Sequence, residues 1–350
     1  MINLAVIFGG MSTEHDVSIV SGTSVIKNLD KSKYSIIPIY LDKEGKWYKY
    51  NIEISKIPEI NVGDKIENIT EIENIFTFLN KVDCIFPVLH GLYGEDGSLQ
   101  GMFELIKKPY VGCKVLSSSI SMDKVYTKII LDRANIKQAK YVYIRKYKEE
   151  YIYIGDEFDE KRYSLKDVVK VVEDKISFPM FIKPSNSGSS IGINRAKNIE
   201  ELEEYIKYAS KYDNKILIEE GIQGREVECA VLGNEEVEAS CIGEIIPAGD
   251  FYSFDSKYKD SGSIIMIPAE ISENKSEEIK DIAIKAFKAV DGKGLSRVDF
   301  FIENDSQDVY INEINTLPGF TKISMYPKLF EQEGMSYSKL LDNLVDLAME

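Results

Sequence analysis

Two short apolar runs near the end of the chain carry polar side chains at a spacing that suits metal chemistry. The runs cover residues 297–303 and 309–315, and the polar break 304–308 between them predicts a β-hairpin. Side chains alternate between the two faces of a strand, so Arg297 and Asp299 share one face while the other face is apolar. The hairpin therefore presents its polar side chains on one small patch.

The partners of these side chains follow from the register of the hairpin. Pairing Glu303 with Val309 places two pairs of residues face to face, namely Asp299 with Glu313 and Arg297 with Asn315. Two carboxylates directly opposite each other are destabilising unless something compensates their charge. Their oxygens suit a hard divalent cation, and Mg²⁺ normally binds together with phosphates. The alternative is a solvated polar face without function, which the apolar opposite face disfavours.

A second candidate segment is the small-residue loop that follows Lys183. Residues 181–192 read as a strand that delivers the lysine, a loop of Ser, Gly and Asn, and a second strand. Small residues allow backbone N–H groups to cradle phosphate oxygens, and the lysine supplies a point charge. The segment is not a P-loop, because the lysine precedes the loop and no helix follows it. A hairpin turn without function is the alternative, but a metal-binding face elsewhere favours nucleotide binding.

Two further segments carry weaker signals. Residues 216–222 form a strand that runs into a turn, where backbone groups could meet an adenine edge and Glu226 could bind ribose hydroxyls. Charged residues at strand ends are common, so this pattern is not specific. Residues 89–97 follow a buried strand, where open α/β sheets bind ligands, and they include His90. A lone loop histidine is usually only solvated, but His15 lies at the same sheet edge.

Composition restricts the class of protein. A chain of 350 residues exceeds one comfortable core, so two or three lobes are expected. The net charge of −15 argues against nonspecific binding to nucleic acids or to anionic membranes. The four cysteines show no CxxC spacing, which indicates free thiols in a reducing compartment. Neither a signal peptide nor a membrane-spanning run is visible, so we expect a cytoplasmic protein.

The pattern of apolar residues predicts three lobes. Residues 1–116 read as an open α/β lobe that begins with a βαβ unit. Residues 117–227 mix strands and helices, including a helix over 122–134. Residues 228–350 contain the β-hairpin of residues 297–315, a long loop at 247–262 and an amphipathic helix marked by Ile279 to Val290.

Several motifs in this order resemble one family. They are residues 9–14 with Val17 and Ser18, residues 89–101, residues 121–124, the Lys183 loop, residues 219–226, residues 256–258, residues 297–299 and residues 312–321. From residue 2 to about residue 345 the chain resembles D-alanine–D-alanine ligases of the ATP-grasp superfamily. The resemblance implies an α/β (α+β) fold of three lobes, with a Rossmann-like open-sheet domain at the N-terminus.

The family's reaction joins two D-alanine molecules for peptidoglycan synthesis. ATP phosphorylates the carboxylate of the first D-alanine, and the amine of the second attacks the acyl phosphate. Moving the γ-phosphoryl group between two anions requires charge neutralisation and alignment. The resemblance implies ATP as substrate, two Mg²⁺ ions (or Mn²⁺ in their place) and a homodimer.

The resemblance also assigns a role to each matching residue. The metal ligands would be Asp299, Glu313 and Asn315. The nucleotide would be bound by Lys124, Lys183, Ser187, Ser190, Glu219, Ile222, Glu226 and Lys257. A triad of Glu14, Ser189 and Tyr258 would close over the substrates, while Arg297 and the Gly319 N–H would form the oxyanion hole. The substrate carboxylates would be received near His90 and at Ser324 and Met325.

The long loop at 247–262 would be the lid, since it carries Lys257 and Tyr258 and a lid protects an acyl phosphate from water. Two departures from the family pattern stand out. Glu220 is acidic where some relatives have lysine, and the segment 43–80 is longer than in the shortest members.

Three other functions compete with this one. Ligases that use D-lactate or D-serine as second substrate often have arginine at the position of Met325 and phenylalanine at that of Ile191. A non-catalytic nucleotide-binding regulator is disfavoured, because no metal, phosphate or oxyanion position is missing. A dinucleotide-dependent dehydrogenase is disfavoured because Gly9-Gly10 is not part of a GxGxxG pattern.

Overall fold

The computed structural model describes residues 1–246 and 264–350, and these residues form three β-sheets with flanking helices. The strands are β1 (Ile2–Gly9), β2 (Tyr34–Leu41), β3 (Trp47–Tyr50), β4 (Ile69–Glu71), β5 (Cys84–Val88), β6 (Tyr141–Tyr147), β7 (Glu150–Ile154), β8 (Glu160–Tyr163), β9 (Met180–Pro184), β10 (Asn194–Ala196), β11 (Lys215–Glu220), β12 (Gly224–Gly233), β13 (Val237–Ile246), β14 (Ile264–Met266), β15 (Gly294–Glu303) and β16 (Val309–Asn315).

The helices flank these sheets. They are α1 (His15–Asn28), α2 (Ile75–Leu79), α3 (Ser98–Leu105), α4 (Val115–Met122), α5 (Lys124–Arg133), α6 (Leu165–Glu173), α7 (Ile199–Ala209), α8 (Glu273–Ala289), α9 (Met325–Gln332) and α10 (Tyr337–Met349), with a short 3₁₀ turn at Ile54–Lys56.

The first sheet has the strand order β4-β3-β2-β1-β5, with β1 parallel to both β2 and β5. The apolar run of β1 is buried on both faces, as expected for a central parallel strand. It ends at Gly9, which has a φ of +97°, and a Cβ at this position would lie 2.2 Å from the Leu41 carbonyl oxygen, so only glycine fits. The chain then turns directly into α1, so Glu14 lies at the carboxyl edge of the sheet.

The second sheet is antiparallel, with the order β10-β9-β11-β6-β7-β8. Helices α6 and α7 cover one face through Val168, Val172, Leu202 and Ile206. Strands β9 and β11 are neighbours, and their register places Lys183 opposite Leu217. The small-residue loop therefore leaves the same sheet that carries the turn after Glu220.

The third sheet has the order β14-β13-β12-β15-β16, and its strands β15 and β16 form the predicted hairpin. The two predicted facing pairs are confirmed, since Arg297 pairs with Asn315 and Asp299 with Glu313. The expected pairing of Glu303 with Val309 is wrong, however, because Val309 pairs with Ile302. An irregularity after Asp299 leaves Asn312 without a paired residue and restores the register.

Some predicted elements differ from the structure in detail. The helix expected over 122–134 is two helices, α4 and α5, because Asp123 leaves the helical conformation with ψ of 98° and caps α5 by accepting a hydrogen bond from the Tyr126 N–H. A short strand expected at Val111-Gly112 is reduced to a single bridge between Tyr110 and Ile85. The long segment 43–80 contributes β3, β4 and α2 to the first lobe.

The lobes share a core. Side chains of β1 and β5 share a core with Phe320, α9 and α10 from the other end of the chain. Phe86 contacts Phe320, and the same core contains Leu340 to Val345 of α10. The predicted boundary at residue 227 falls inside β12, which begins at Gly224. All four cysteines are free, and Cys241 is the least buried. Within the described residues, every helix is too short or too polar to cross a bilayer.

Candidate active site

The small-residue loop is fastened to the start of α5 through Asp123. This carboxylate accepts a hydrogen bond from Ser185 Oγ at 2.5 Å, contacts Asn186 Nδ2 at 3.3 Å and forms an ion pair with Lys215. Burial would raise the pKa of Asp123, but Lys215 and Ser185 outweigh it and the pKa is lowered. The loop is thus held at its first residues and projects its remaining residues over a cavity.

The projecting part of the loop has an unusual backbone. Ser189 and Ser190 adopt φ of 51° and 59°, a left-handed conformation that costs energy for residues with a Cβ. Lys124 donates to the Ser187 carbonyl oxygen, and Ser187 Oγ donates to Ile191 O at 2.7 Å. The predicted phosphate-binding residues Lys124, Ser187 and Ser190 are therefore brought together at the wall of one cavity.

This first cavity has a volume of about 400 Å³ and lies between the second and third sheets. Of the predicted nucleotide-binding residues, its lining contains Lys124, Lys183, Ser187, Ser190, Glu219, Ile222 and Glu226. Lys257 falls in 247–263, outside the described residues, as does Tyr258. The size and lining suit an elongated ligand that has both an apolar ring and anionic groups.

Glu219 lies in the wall of the cavity between two lysines. Its Oε1 is 2.6 Å from Lys128 Nζ and its Oε2 is 2.6 Å from Lys183 Nζ. Burial would raise the pKa of Glu219, but the two ammonium groups dominate and lower it to about 2. The carboxylate is therefore ionised at every physiological pH.

The hairpin residues form an ion-pair network. The Arg297 guanidinium donates to both oxygens of Asp299 at 2.7 Å, and its Nε also lies 2.9 Å from Glu228 Oε2. Asn315 Nδ2 donates to Asp299 Oδ2 at 3.0 Å. Burial would lower the pKa of Arg297, but Asp299 and Glu228 raise it well above its usual value. The guanidinium thus helps to neutralise the buried carboxylates of this patch.

The predicted metal ligands fit a hard cation by the chemistry of their donors. Asp299, Glu313 and Asn315 offer carboxylate and amide oxygens from neighbouring strands, the ligand type that Mg²⁺ prefers. Glu313 and Asn315 line the first cavity, whereas Asp299 lies behind them and is 2% exposed. The described residues hold no group of three His, Cys, Asp or Glu side chains placed to bind a metal, so a ligand's own oxygens would complete the shell.

Glu14 and Ser189 meet across two lobes. Glu14 is the N-cap residue of α1, yet its side chain makes no capping bond and instead accepts a hydrogen bond from Ser189 Oγ. Gly91 and Gly188 both lie close to Glu14 Oε2, where a Cβ would come within 2.5 Å and 2.8 Å of it. Two members of the predicted triad are therefore together, and the third, Tyr258, lies outside the described residues.

His90 hydrogen-bonds through both ring nitrogens. Its Nδ1 is 3.1 Å from the Leu317 carbonyl oxygen, so Nδ1 donates, and Nε2 accepts from Ser21 Oγ at 2.9 Å. Ser21 Oγ in turn accepts a hydrogen bond from the Phe320 N–H at 3.3 Å. The imidazole thus ties the first lobe to the turn that contains Gly319.

A second cavity of about 150 Å³ adjoins the first. Its lining brings together the predicted substrate residues Glu14, Ser189, His90, Arg297, Gly319, Ser324 and Met325. Ser324 is the N-cap residue of α9, and its Oγ accepts from the Thr321 N–H at 2.9 Å. A helix N-terminus is a suitable place for a carboxylate. Glu313, Asn315, Gly188 and Ser189 line both cavities, so the two meet at the hairpin.

Three residues of the site were missed by the sequence reasoning. Glu95 lines both cavities and accepts a hydrogen bond from the Gly91 N–H at 2.7 Å, and burial together with Glu14 raises its pKa well above the usual value. Lys128 and Glu228 contact the site residues Glu219 and Arg297. Glu95 stands in the segment 89–97, and Lys128 lies one helical turn after Lys124, but neither spacing indicates a contact.

Comparison with known proteins gives a consistent result. Two family profiles match the chain, described as D-ala D-ala ligase N-terminus over residues 3–113 and D-ala D-ala ligase C-terminus over residues 130–346. A D-alanine–D-alanine ligase of Clostridium acetobutylicum is 49% identical, covering 99% of this chain and 97% of its own.

Solved structures agree with the sequence comparison. The D-alanine-D-alanine ligase from Coxiella burnetii has a TM-score of 0.81 at 33% identity, covering 99% of this chain and 94% of its own. The VanG D-Ala:D-Ser ligase from Enterococcus faecalis has a TM-score of 0.85 at 36% identity, covering 99% of both chains. The expected ATP-grasp fold is confirmed, and the chain belongs to the D-alanine–D-alanine ligase family.

Proposed function

We propose that this protein uses ATP to join two D-alanine molecules to D-alanyl-D-alanine, for peptidoglycan precursor synthesis. The observation that carries the proposal is the junction of the two cavities at Glu313 and Asn315. A nucleotide in the larger cavity would direct its terminal phosphate to that junction, and an amino acid in the smaller one would direct its carboxylate there.

The first step forms an acyl phosphate. A carboxylate oxygen of the first D-alanine attacks the γ-phosphorus, the bond to the bridging oxygen breaks and ADP leaves. Glu14 would hold the ammonium group of this substrate, and Ser189 fixes the orientation of Glu14. Lys124, Lys183 and the loop N–H groups would hold the phosphates in line.

The second step forms the peptide bond. The neutral amine of the second D-alanine attacks the carbonyl carbon, the carbon–oxygen bond to phosphate breaks, and the amine loses a proton. Arg297 and the Gly319 N–H would stabilise the oxyanion. Ser324 and the Met325 backbone at the start of α9 would receive the carboxylate of this second substrate.

Asp299, Glu313 and Asn315 would hold the Mg²⁺ ions, or Mn²⁺ in their place, which would neutralise phosphate charge during the transfer. Arg297 lines the smaller cavity, and its Nε lies 2.9 Å from Glu228 Oε2, so its guanidinium is held at the substrate end of the site.

The test is ADP release measured with D-alanine, L-alanine, D-serine and D-lactate in turn, with the products identified by thin-layer chromatography. D-Alanine alone should support release and yield the dipeptide. ATP binding without D-alanine-dependent phosphate release would contradict the proposal and favour a nucleotide-binding regulator.

One second function has its own support. The structural similarity to VanG D-Ala:D-Ser ligase favours D-serine as an alternative acceptor. Met325 and Ile191 stand where resistance-type ligases often have arginine and phenylalanine, and these positions favour D-alanine. Mixed-acceptor assays separate the two, because a D-serine ligase yields D-alanyl-D-serine when both acceptors are present.

We also propose a cytoplasmic homodimer of three-lobed subunits. The lobes would be residues 1–116, 117–223 and 224–350, with the second boundary moved from residue 227 because β12 begins at Gly224. Family resemblance supports this arrangement, and light scattering of the purified protein tests the dimer. A monomer at working concentration would contradict it.

A further inference from the structure

A buried carboxylate bridged by two lysines lies beside the first cavity. The side chains of Lys128 and Glu219 are 4% and 5% exposed, and that of Lys183 is 15% exposed. Each lysine contacts a different oxygen of Glu219, at 2.6 Å in both cases. Lys183 and Glu219 line the cavity, whereas Lys128 does not.

Lys128 is held in place from the α5 side. Its carbonyl accepts a hydrogen bond from Gln138 Nε2 at 2.8 Å, and its ammonium lies 5.2 Å from the centre of the Tyr141 ring. Burying a lysine carries a high desolvation cost, so a buried ammonium group needs a strong partner. The partner here is Glu219, and the pair is directed at the nucleotide site.

The charges of the three groups add up to one positive charge. Without Lys128, the remaining pair of Glu219 and Lys183 would have no net charge. The loss of one positive charge matters because six glutamates line the cavity, whereas the cationic residues of its described lining are Lys124, Lys183 and Arg225. Arg225 is already paired with Glu244 at 2.7 Å.

We propose that Lys128 is a positioning residue for the polyphosphate of the nucleotide. It does not touch the ligand; it neutralises Glu219, and so it leaves the charge of Lys183 available to phosphate oxygens. It also fixes one carboxylate oxygen of Glu219 while Lys183 fixes the other, which presents that side chain to the adenine end in one orientation. This inference rests on the proposed nucleotide site.

The experiment compares the binding of ADP with Mg²⁺ and of adenosine by calorimetry. Lys128→Met removes the ammonium group, keeps an unbranched apolar side chain and leaves the Glu219–Lys183 pair in place. We expect it to weaken ADP binding by about tenfold or more and adenosine binding by less than about threefold, since only ADP carries the phosphate charge.

The double variant Lys128→Met with Glu219→Gln restores one positive charge to the bridge. Its ratio of ADP to adenosine affinity should return toward that of the wild type, because Lys183 is again uncompensated. Lys128→Arg should retain the wild-type ratio. A role in folding alone would move both ligands together and would not be repaired by the second substitution.

Two outcomes would overturn the inference. They are an unchanged ratio of ADP to adenosine affinity in Lys128→Met, and no recovery of that ratio in the double variant. Failure of the proposed nucleotide site is distinguishable, because the wild-type protein would then bind neither ADP nor adenosine. Failure of the proposed ligation alone is distinguishable too, because the wild type would then bind ADP without D-alanine-dependent phosphate release. Thermal melting of each variant verifies that it is folded before binding is measured.

Discussion

The hydrogen bond between Ser189 and Glu14 joins residues that are far apart in sequence and come from different lobes. Burial of Glu14 makes the carboxylate dependent on such partners, since a buried charge without hydrogen bonds is costly. The bond also fixes which way the loop faces, although Ser189 has a strained backbone. We therefore expect the pair to act as a unit in binding the first substrate.

Ser189→Ala should raise the KM for D-alanine by about tenfold, because one charge-assisted hydrogen bond is lost. The effect of Glu14→Gln should be smaller in the Ser189→Ala background than in the wild type. Steady-state kinetics of the four proteins measure this coupling. Ser210→Ala at the end of α7 is the matched control and should leave the KM for D-alanine unchanged. Additive effects of Ser189→Ala and Glu14→Gln would show that the two residues do not act as a unit.

His90 gives a pH dependence of stability. Burial lowers its pKa to about 4 from the usual 6.5, while the bond to Leu317 opposes the shift. Between these two values the unfolded chain binds a proton that the folded chain does not. The contribution is therefore present above pH 6.5 and is lost as the pH falls toward 4.

Because the unfolded chain takes up a proton at His90, the free energy of unfolding should fall by about 2 kcal/mol from about pH 7 to about pH 5. Urea denaturation at the two pH values measures the loss. His90→Gln removes the titration, so its pH-dependent loss should be smaller than that of the wild type by this amount, whatever its stability at neutral pH. Parallel behaviour of the two proteins would contradict the assignment.

At the scale of elements, the loop 185–192 depends on the start of α5. Asp123 is both the N-cap of α5 and the acceptor for Ser185 and Asn186, so one side chain sets the position of Lys124 relative to the loop. The Lys124 N–H also donates to the Ser185 carbonyl at 3.1 Å. Helix and loop should therefore move as one body.

Asp123→Asn keeps a good N-cap but loses the ion pair with Lys215. We expect the KM for ATP to rise by about threefold to tenfold with a smaller effect on the KM for D-alanine. Amide hydrogen exchange of residues 185–192 should become faster. Asp167→Asn, in the first turn of α6, is the control and should leave both quantities unchanged.

The hairpin β15–β16 shows how far alternation along a strand can be used. The polar face and the facing pairs Asp299–Glu313 and Arg297–Asn315 were predictable from spacing, since side chains alternate regularly. The irregularity at Asn312 was not predictable, because no turn residue or glycine in the hairpin marks its place. Asn312 Oδ1 lies 3.5 Å from Lys183 Nζ of another sheet, a contact that strand alternation does not reveal.

The same limit applies to the residues that the sequence reasoning missed. Lys128, Glu228 and Glu95 are ordinary helix, strand and loop residues by pattern, and their roles arise from long-range ion pairs and burial. Strands β7 and β8 were missed too, since their polar and apolar residues alternate weakly, and β8 lies at the edge of its sheet. The existence of α8 was predictable from its periodic residues Ile279 to Val290, although the helix begins earlier, at Glu273.

At the scale of the whole molecule, the first and third lobes share one core. Phe320 is fully buried, and its ring contacts Phe86 of the first sheet at 5.9 Å, Tyr326 at 5.7 Å and Tyr337 at 6.3 Å. It directly follows Gly319, and its N–H reaches Ser21. The residue that joins the lobes is therefore adjacent to the proposed oxyanion hole.

Phe320→Ala should lower the free energy of unfolding by about 3–5 kcal/mol, through lost burial and the cavity it leaves. It should also raise the KM for the second substrate, since the turn at Gly319 loses its anchor. Phe287→Ala is the control, because Phe287 is equally buried but packs from α8 into the separate core on the other face of the third sheet. It should destabilise the protein comparably and leave that KM unchanged.

Trp47 makes the coupling between lobes measurable, because it is the single tryptophan and lies in β3 of the first sheet. In the wild type, its fluorescence and the far-ultraviolet circular dichroism should change at the same urea concentration, since the shared core unfolds as one unit. In Phe320→Ala the fluorescence transition should come first, because the first sheet loses the ring that packs between it and the residues Tyr326 of α9 and Tyr337 of α10. If the two probes still coincide in this variant, the lobes are joined by the remaining contacts of the core and Phe320 is not the link between them.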